Sequence, residues 1–353
     1  SPSSTPRASA TAHPSSARRP PATRAWGSTR LRSLGKPVSA DTRIGESWEL
    51  ADLPDSIADG QSTIAGGRFD GVRLRDLRLA HRDELLGVTT PAPDGAFPLL
   101  VKFLDAAEHL SVQLHPDAAF VRAHRDAHLK TEAWVVLDAT PGAVLFRGFR
   151  PAVTLGDYER ALAEGTVVDL LEAIEVRRGD CVYLPSGICH ALGAGVIAAE
   201  IQTPSDTTFR VWDWNRNDPA RPLHLDEARA CLRFGADQFD GFPPIVRGES
   251  APTLAAHGFV TKQLARNPFF RIEWIEATRA GAMPIEPSGV AEVWMTVAGN
   301  ARWRTTSGEQ AAPVGATILR PAAVEPGEVL IDAGTVIVRT HCGSPLDGAI
   351  ATQ

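Results

Sequence analysis

The sequence predicts a mainly β protein of two small antiparallel barrels with a few short helices. Short apolar runs such as residues 133–137 (AWVVL) have the length and composition of strands. The spacing G-x5-P-x-G-x2-H from Gly179 to His190 describes a strand, a tight turn that needs Pro and Gly, and a histidine directed back inward. Both features recur, in altered form, near the C-terminus. A barrel is the architecture that would bring such strands together.

The recurrence predicts the domain organisation. Residues 130–148 resemble residues 289–305, and residues 179–192 resemble residues 315–330. The second copy places Val324 or Glu325 where the first has His190. We therefore expect a metal-binding catalytic domain over 24–250 and a degenerate, metal-free barrel over 251–353.

The first 23 residues are rich in Ser, Pro, Ala and Arg. Such a segment cannot bury enough apolar surface to offset its ordering entropy, so the sequence predicts a disordered tail over 1–23. It contains no apolar stretch typical of a secretory signal, and its prolines oppose an amphipathic targeting helix. A native tail, a targeting peptide and an overextended start remain alternatives.

Helical spacing of apolar residues predicts a helix over 72–87 that ends at Gly87. Residues 155–173 suit one or two short helices, with Asp157 near an N-terminus. Residues 223–234 predict one more helix.

Composition limits the possible functions. The chain has 353 residues, 43% hydrophobic and 22% charged, with a net charge of −6. The absence of a basic stripe argues against nucleic acid as a partner, and no apolar run reaches the roughly 20 residues needed to span a membrane. The four cysteines are irregularly spaced, which predicts buried, reduced thiols and a cytoplasmic protein.

Four side chains form the candidate metal site. Gln113 and His115 are two residues apart, so they point to the same face of a strand. Glu132 opens an apolar strand, and His190 closes the glycine and proline motif. One amide oxygen, two imidazoles and one carboxylate suit a borderline divalent metal such as zinc, and we expect one ion per chain.

Several charged residues near this set are candidates for substrate chemistry. Lys130 lies two residues before Glu132, on the same predicted face, where it could bind phosphate or a sugar oxygen; a salt bridge at the rim is the alternative. Lys102 lies in an apolar run, so it needs a partner such as phosphate unless it reaches the surface. Ser111 shares the face of Gln113.

Glu200 lies in the apolar run VIAAEIQ, where desolvation would raise its pKa and suit it to act as a general base. Arg210 follows ten residues later, and its pattern places it at the barrel mouth. A structural ion pair between Glu200 and Arg210 is the alternative. Lys130 and His128 remain rival candidates for the base.

These motifs carry a family resemblance. The G-x5-P-x-G-x2-H spacing resembles the second motif of the cupins, which have jelly-roll barrels. The variant with Gln113 and with Pro116 after His115, together with KTEAW and the segment 198–216, resembles the type I mannose-6-phosphate isomerases (phosphomannose isomerases) in their short bacterial form. The likeness is strongest over 97–234. One departure is Trp26-Gly27-Ser28, where the family usually carries WGG.

The resemblance implies a zinc-dependent isomerase of carbohydrate metabolism that interconverts D-mannose 6-phosphate and D-fructose 6-phosphate through a cis-enediol. It implies zinc at Gln113, His115, Glu132 and His190, a catalytic arginine at Arg210, an active-site glutamate at Glu200, and a serine near the phosphate at Ser111.

Three other functions stay open. A cupin dioxygenase expects an HxH iron triad, which Gln113 opposes. A non-catalytic sugar-phosphate-binding protein and an isomerase of an unphosphorylated sugar also fit. The sequence leaves the oligomeric state open.

Overall fold

The computed structural model describes residues 15–18, 22–39, 41–239 and 241–345, and its strands follow one another with only short helices between them. Strands β1 to β13 are Ser15–Arg18, Ala22–Ser28, Ile44–Leu50, Thr63–Ala65, Leu100–Ala106, Val112–Leu114, Glu132–Ala139, Val144–Phe149, Leu171–Glu175, Cys181–Leu184, His190–Leu192, Val196–Gln202 and Phe209–Trp212. Strands β14 to β23 are Thr253–Ala256, Phe259–Arg266, Phe270–Ala277, Gly281–Ile285, Glu292–Ala298, Asn300–Thr305, Gly308–Pro313, Thr317–Arg320, Gly327–Ile331 and Val336–Cys342.

Helices α1 to α5 are Leu74–Ala80, Arg82–Leu86, Ala118–Ala123, Leu155–Glu164 and Leu225–Cys231. Short 3-10 helices span Arg30–Leu34, Gly67–Phe69, Val167–Leu170 and Ala236–Phe239.

The described strands form four antiparallel sheets in two pairs. A six-stranded sheet (β10-β7-β12-β5-β3-β2) faces a five-stranded sheet (β13-β6-β11-β8-β9) across a core that includes Trp134 and Leu192. An eight-stranded sheet (β14-β15-β16-β23-β18-β21-β1-β4) faces a four-stranded sheet (β17-β22-β19-β20) across a core that includes Trp294 and Trp303.

The two larger sheets pack against each other through their outer faces. This largest core includes Phe103 and Tyr183 from the six-stranded sheet, and Ile272 and Trp274 from the eight-stranded sheet. The six-stranded sheet is therefore covered on both faces, which explains why its central strands β5, β7 and β12 are almost continuously apolar.

Alternation along β7 decides where the polar side chains point. Ala133 and Val135 belong to the core between the two large sheets, whereas Trp134 and Val136 belong to the core inside the first sheet pair. Glu132 shares the phase of Trp134 and therefore faces the inside of that pair.

The strand pairing is alike in the two sheet pairs. Glu132 lies opposite Leu184 on β10, and Glu292 lies opposite Arg320 on the corresponding strand β21. Trp134 lies opposite Glu200 on β12, just as Trp294 lies opposite Arg339 on β23.

The helix predictions are confirmed in part. The helix expected over 72–87 is broken at His81 into α1 and α2, because His81 leaves the helical conformation with φ −132° and ψ 42°. Helix α4 has the expected Asp157 at its start, where Thr154 and Asp157 form a reciprocal capping box. The rest of that segment forms a 3-10 helix and then strand β9. Helix α5 lies within the segment predicted for it.

The N-terminal segment differs from the expected disordered tail where it is described. Strand β1 lies between β4 and β21 and pairs with both, so its backbone groups have hydrogen-bond partners on both sides. Residues 1–14 and 19–21 lie outside the described part of the chain.

The four cysteines are buried and unpaired, as predicted. Among the described residues, no helix is long and apolar enough to cross a membrane.

Candidate active site

A compact group of His115, Glu132 and His190 lies between the two sheets of the first pair. Glu132 begins β7 and His190 begins β11, while His115 follows directly after β6. Strand β11 pairs with β6, which sets His190 opposite Gln113. The separate motifs of the sequence thus converge because β6 and β11 are neighbours, with β7 in the facing sheet.

The group has the spacing of a metal site. The Oε2 atom of Glu132 is 3.2 Å from Nε2 of His115, and its Oε1 atom is 3.1 Å from Nε2 of His190. The candidate ligand atoms lie within 4.8 Å of one another. All three side chains are at most 1% exposed, so water does not compensate for this clustering of polar atoms.

Backbone carbonyl groups fix both histidines. Nδ1 of His115 lies 3.1 Å from the oxygen of Thr207, and Nδ1 of His190 lies 2.7 Å from the oxygen of Ile188. An Nδ1–H that donates to these oxygens leaves the lone pair of each Nε2 directed at the centre of the group. Both Nε2 atoms and both oxygens of Glu132 are buried and lack a well-formed hydrogen bond. These four nitrogen and oxygen atoms can therefore donate electron pairs to a cation.

Electrostatics keep the group in its ligating form. Burial, together with the nearby Lys130, lowers the pKa of His115 to about 3, so the imidazole is neutral at physiological pH. Burial alone would raise the pKa of Glu132, but Lys130 and His115 outweigh it and hold that pKa well below its usual value. A neutral imidazole and a carboxylate are the forms that bind zinc.

A cavity of about 760 Å³ opens beside this group and is lined in part by Gln113 and Lys130. The Oε1 atom of Gln113 accepts a hydrogen bond from Ser111 Oγ at 3.2 Å, which orients the amide. The charged side chains that line the cavity are Arg24, Glu46, Lys102, Lys130, Glu200, Asp206, Arg210, Asp218 and Arg221.

Lys102 and Glu200 lie opposite each other on β5 and β12 and form an ion pair of 2.8 Å. Trp134 also donates its indole N–H to Glu200 at 3.0 Å. The expected alternative of a Glu200–Arg210 ion pair is therefore wrong, and Glu200 is not the unpaired carboxylate that its apolar run suggested. Lys102 does not reach the surface, since only 8% of its side chain is exposed.

The charge of Lys102 is held by two carboxylates. Burial disfavours the charge, but Glu200 and the more distant Glu46, 3.9 Å away, outweigh this effect and raise the pKa of Lys102. The ammonium group also lies 5.0 Å from the ring centre of Trp48.

The sequence predicted that Lys130 shares a strand with Glu132, but Lys130 precedes β7. Its ammonium group still lies 3.1 Å from Oε2 of Glu132, and only 4% of the side chain is exposed. The pair is therefore buried and is not a rim salt bridge. His128 is exposed and does not line the cavity, which removes it as a candidate base.

Arg210 lies on β13 opposite Gln113 and reaches the cavity. Its Nη1 atom donates to the carbonyl of Pro222 at 2.9 Å, while its Nε atom is buried without a hydrogen-bond partner. Among the described residues, no carboxylate lies within ion-pair distance of Arg210. Burial, with the nearby Arg221, lowers its pKa.

Sequence reasoning missed five charged residues of the cavity, namely Arg24, Glu46, Asp206, Asp218 and Arg221. Glu46 comes from β3, which lies upstream of the region 97–234 where the family resemblance is strongest. Arg24 lies on strand β2 and forms an ion pair with Glu46. Arg221 follows the strand of Arg210 by a loop, and no local pattern marks it.

Residues 22–133 match the family model described as phosphomannose isomerase type I, catalytic domain. The chain is 36% identical over 252 residues to a mannose-6-phosphate isomerase of Streptococcus mutans, covering 70% of this chain and 73% of that relative. The chain belongs to the type I phosphomannose isomerases. The predictions of this family and of an enzyme are therefore confirmed.

Other members of the family agree. The mannose-6-phosphate isomerase ManA of Bacillus subtilis is 36% identical over 209 residues, which cover 58% of this chain and 63% of that relative. The solved structure of the Bacillus subtilis mannose 6-phosphate isomerase superposes with a TM-score of 0.80 at 25% identity, over 93% of this chain and 99% of that one. The predicted mainly β phosphomannose isomerase fold is thus confirmed.

The second sheet pair carries a different polar cluster at the corresponding positions. Glu292, which corresponds to Glu132, is bound by Arg320 at 2.5 Å and by Nδ1 of His341 at 3.1 Å. The other ring nitrogen of His341 lies 3.2 Å from Glu273. A guanidinium group thus neutralises the carboxylate that faces the inside of this pair.

Proposed function

We infer that the protein interconverts D-mannose 6-phosphate and D-fructose 6-phosphate with the help of one zinc ion. The observation that carries the proposal is the buried His115–Glu132–His190 group, whose imidazole Nε2 atoms lack a hydrogen bond, beside a cavity lined by five cationic side chains. Such a cavity suits an anionic, hydroxyl-rich substrate beside a Lewis acid.

His115, Glu132 and His190 would hold the ion, and Gln113 would add its amide oxygen. The set of nitrogen and oxygen donors suits zinc. When bound, zinc supplies a Lewis acid that orients and polarises the sugar oxygens.

Glu200 is our choice for the base. It lines the cavity, and its partners Lys102 and Trp134 hold the carboxylate in a fixed position. In the open-chain aldose, Glu200 takes the proton from C2, and a second proton moves from the oxygen on C2 to the oxygen on C1. The cis-enediolate that forms then receives the first proton at C1, which gives the ketose. Lys130, beside Glu132, is the second candidate for the transfer between the oxygens.

Arg210 would stabilise the negative charge that develops on the enediolate. A cation without a carboxylate partner keeps its full charge for such a role, and its position is set before the reaction begins. Lys102 and Lys130 are each engaged by a carboxylate, so we assign them to sugar hydroxyl groups. Ser111 would lie on the phosphate side of the cavity.

The domain boundaries follow from the same reasoning. We propose that 24–250 form the catalytic domain and 251–353 the metal-free domain, since the equivalent of Glu132 in the second copy is neutralised by Arg320.

The test is a coupled assay of mannose 6-phosphate turnover before chelation, after chelation and after zinc is returned. We expect activity to disappear and then recover. Activity that resists complete metal removal would refute zinc dependence. Turnover of free mannose that equals turnover of its 6-phosphate would point to another sugar isomerase, and a sugar phosphate that binds without turnover would point to a binding protein.

A further inference from the structure

The cationic side chains of the cavity are not equally available to a substrate. Arg24 pairs with Glu46, Lys102 with Glu200 and Lys130 with Glu132. Each of these cations has a carboxylate of its own within the cavity or at its wall. A phosphate dianion therefore needs positive charge from another part of the lining.

Arg221 provides such charge. Its Nε atom donates to Oδ2 of Asp213 at 2.9 Å, and its Nη2 atom lies 3.5 Å from Oγ of Ser111. Asp213 also binds Arg216, whose Nη1 atom lies 2.8 Å from Oδ1. Asp213 is thus shared between two guanidinium groups, so Arg221 does not have this carboxylate to itself; Arg216 has a second partner in Glu108, 3.5 Å away.

The loop that carries Arg221 is held in an unusual conformation. Trp214, Asn215 and Asn217 have φ values of 55°, 55° and 49°, and a bulky residue such as tryptophan rarely adopts this left-handed region. Trp214 is anchored by a 2.7 Å hydrogen bond to the carbonyl of Leu110 and by stacking on His109. Strain of this kind persists only where the surrounding contacts impose it.

The same loop is fixed at its far end. Arg210 binds the carbonyl of Pro222, the residue after Arg221, at 2.9 Å. His224 completes the link, because its backbone N–H donates to the carbonyl of Arg210 at 2.8 Å. Arg221 is therefore presented from a rigid segment, next to the arginine assigned to the enediolate.

We propose that Arg221 binds the phosphate group of the substrate together with Ser111, and that Asp213 positions Arg221 for this task. The inference rests on the proposed sugar phosphate substrate and adds the residue that selects for its phosphate. The Nε atom of Arg221 is used by Asp213, so the Nη edge of the guanidinium faces the ligand, and a guanidinium fork matches phosphate geometry.

The test compares Arg221→Gln with Arg216→Gln. Each variant removes one of the two arginines that form ion pairs with Asp213, but Arg216 does not line the cavity. Arg221→Gln should raise KM for mannose 6-phosphate on the order of tenfold to a hundredfold, with kcat nearly unchanged and no effect on turnover of free mannose. Arg221→Lys should recover part of the loss. Asp213→Asn should also raise KM, by less than Arg221→Gln.

Binding without turnover separates this inference from the proposed function. Calorimetry with D-glucitol 6-phosphate and with D-glucitol measures the phosphate contribution even if the protein proves inactive on mannose 6-phosphate. We expect Arg221→Gln to weaken binding of the phosphorylated polyol alone. An equal loss for both polyols, an equal loss in Arg216→Gln, or no loss at all would overturn the role of Arg221.

Discussion

Lys102 and Glu200 form one chemical unit, because each is the buried counter-ion of the other. Their atoms lie 2.8 Å apart, and no more than 8% of either side chain is exposed. Removing one partner from such a pair leaves an uncompensated charge in the protein interior. A kinetic effect of a single substitution here would therefore be mixed with a loss of stability.

Lys102→Met should lower the free energy of unfolding by about 3–5 kcal/mol, as is usual when a buried ion pair loses one partner. The double variant Lys102→Met, Glu200→Gln should recover much of this loss, because no buried charge is then left unpaired. Urea unfolding of the wild type, both single variants and the double variant measures the coupling. Additive losses would show that the two side chains do not interact.

Arg210→Ala tests the role assigned to the arginine without a carboxylate partner. Loss of a preorganised charge donor typically lowers kcat on the order of 10²–10³, with a much smaller change in KM. Steady-state kinetics with the metal content measured in parallel provides the check. A variant that raised only KM would show that Arg210 binds the ground state and has no special role toward the enediolate.

At the scale of elements, strand β23 contributes a histidine that bridges two carboxylates. Burial disfavours the charge on His341, but Glu273 and Glu292 outweigh it and raise its pKa above the ordinary 6.5. A group with a raised folded-state pKa stabilises the fold below its unfolded pKa, and this contribution is lost as the pH rises through the folded value.

The wild type should therefore lose stability relative to His341→Gln when the pH rises from about 6 to about 9. Urea unfolding of both proteins at the two pH values gives the difference in unfolding free energy. If the unfolding free energy of the wild type relative to His341→Gln stayed constant or rose with pH, the assignment of a charged His341 would be contradicted.

Strand β1 provides a second test at this scale, since it pairs with both β4 and β21. Deletion of 1–18 should lower the melting temperature by exposing those two strand edges, whereas deletion of 1–14 leaves β1 in place and should not. Thermal unfolding of the two truncated proteins distinguishes them. Equal melting temperatures would show that β1 contributes nothing to the fold.

Period-two alternation explains which features could be predicted from sequence. Glu132 and His190 carry local signals, the start of an apolar strand and a glycine and proline turn, and both do lie at the inner face. The partnership of Lys102 with Glu200 depends on the register of β5 against β12, which no local pattern encodes. Arg221 escaped notice for a related reason, because its position depends on a loop held by distant residues.

At the scale of the whole molecule, the chain contains two versions of one sheet pair with different centres. Glu132 faces two imidazoles with unpartnered nitrogen atoms, whereas Glu292 faces the guanidinium of Arg320. Lys102 pairs with Glu200 in the first copy, and Glu273 pairs with Arg339 at the same register in the second, with the charges exchanged. In the second copy, basic side chains of the same sheet pair thus neutralise the carboxylates.

The repeat itself supplies the control for the most direct test of a metal-dependent isomerase. Zinc content per chain and mannose 6-phosphate turnover should be measured for the wild type, Glu132→Gln and Glu292→Gln, with circular dichroism confirming that each is folded. We predict close to one zinc per chain and full turnover in the wild type and in Glu292→Gln, and loss of both in Glu132→Gln. A folded Glu132→Gln protein that kept its zinc and its turnover would contradict the account.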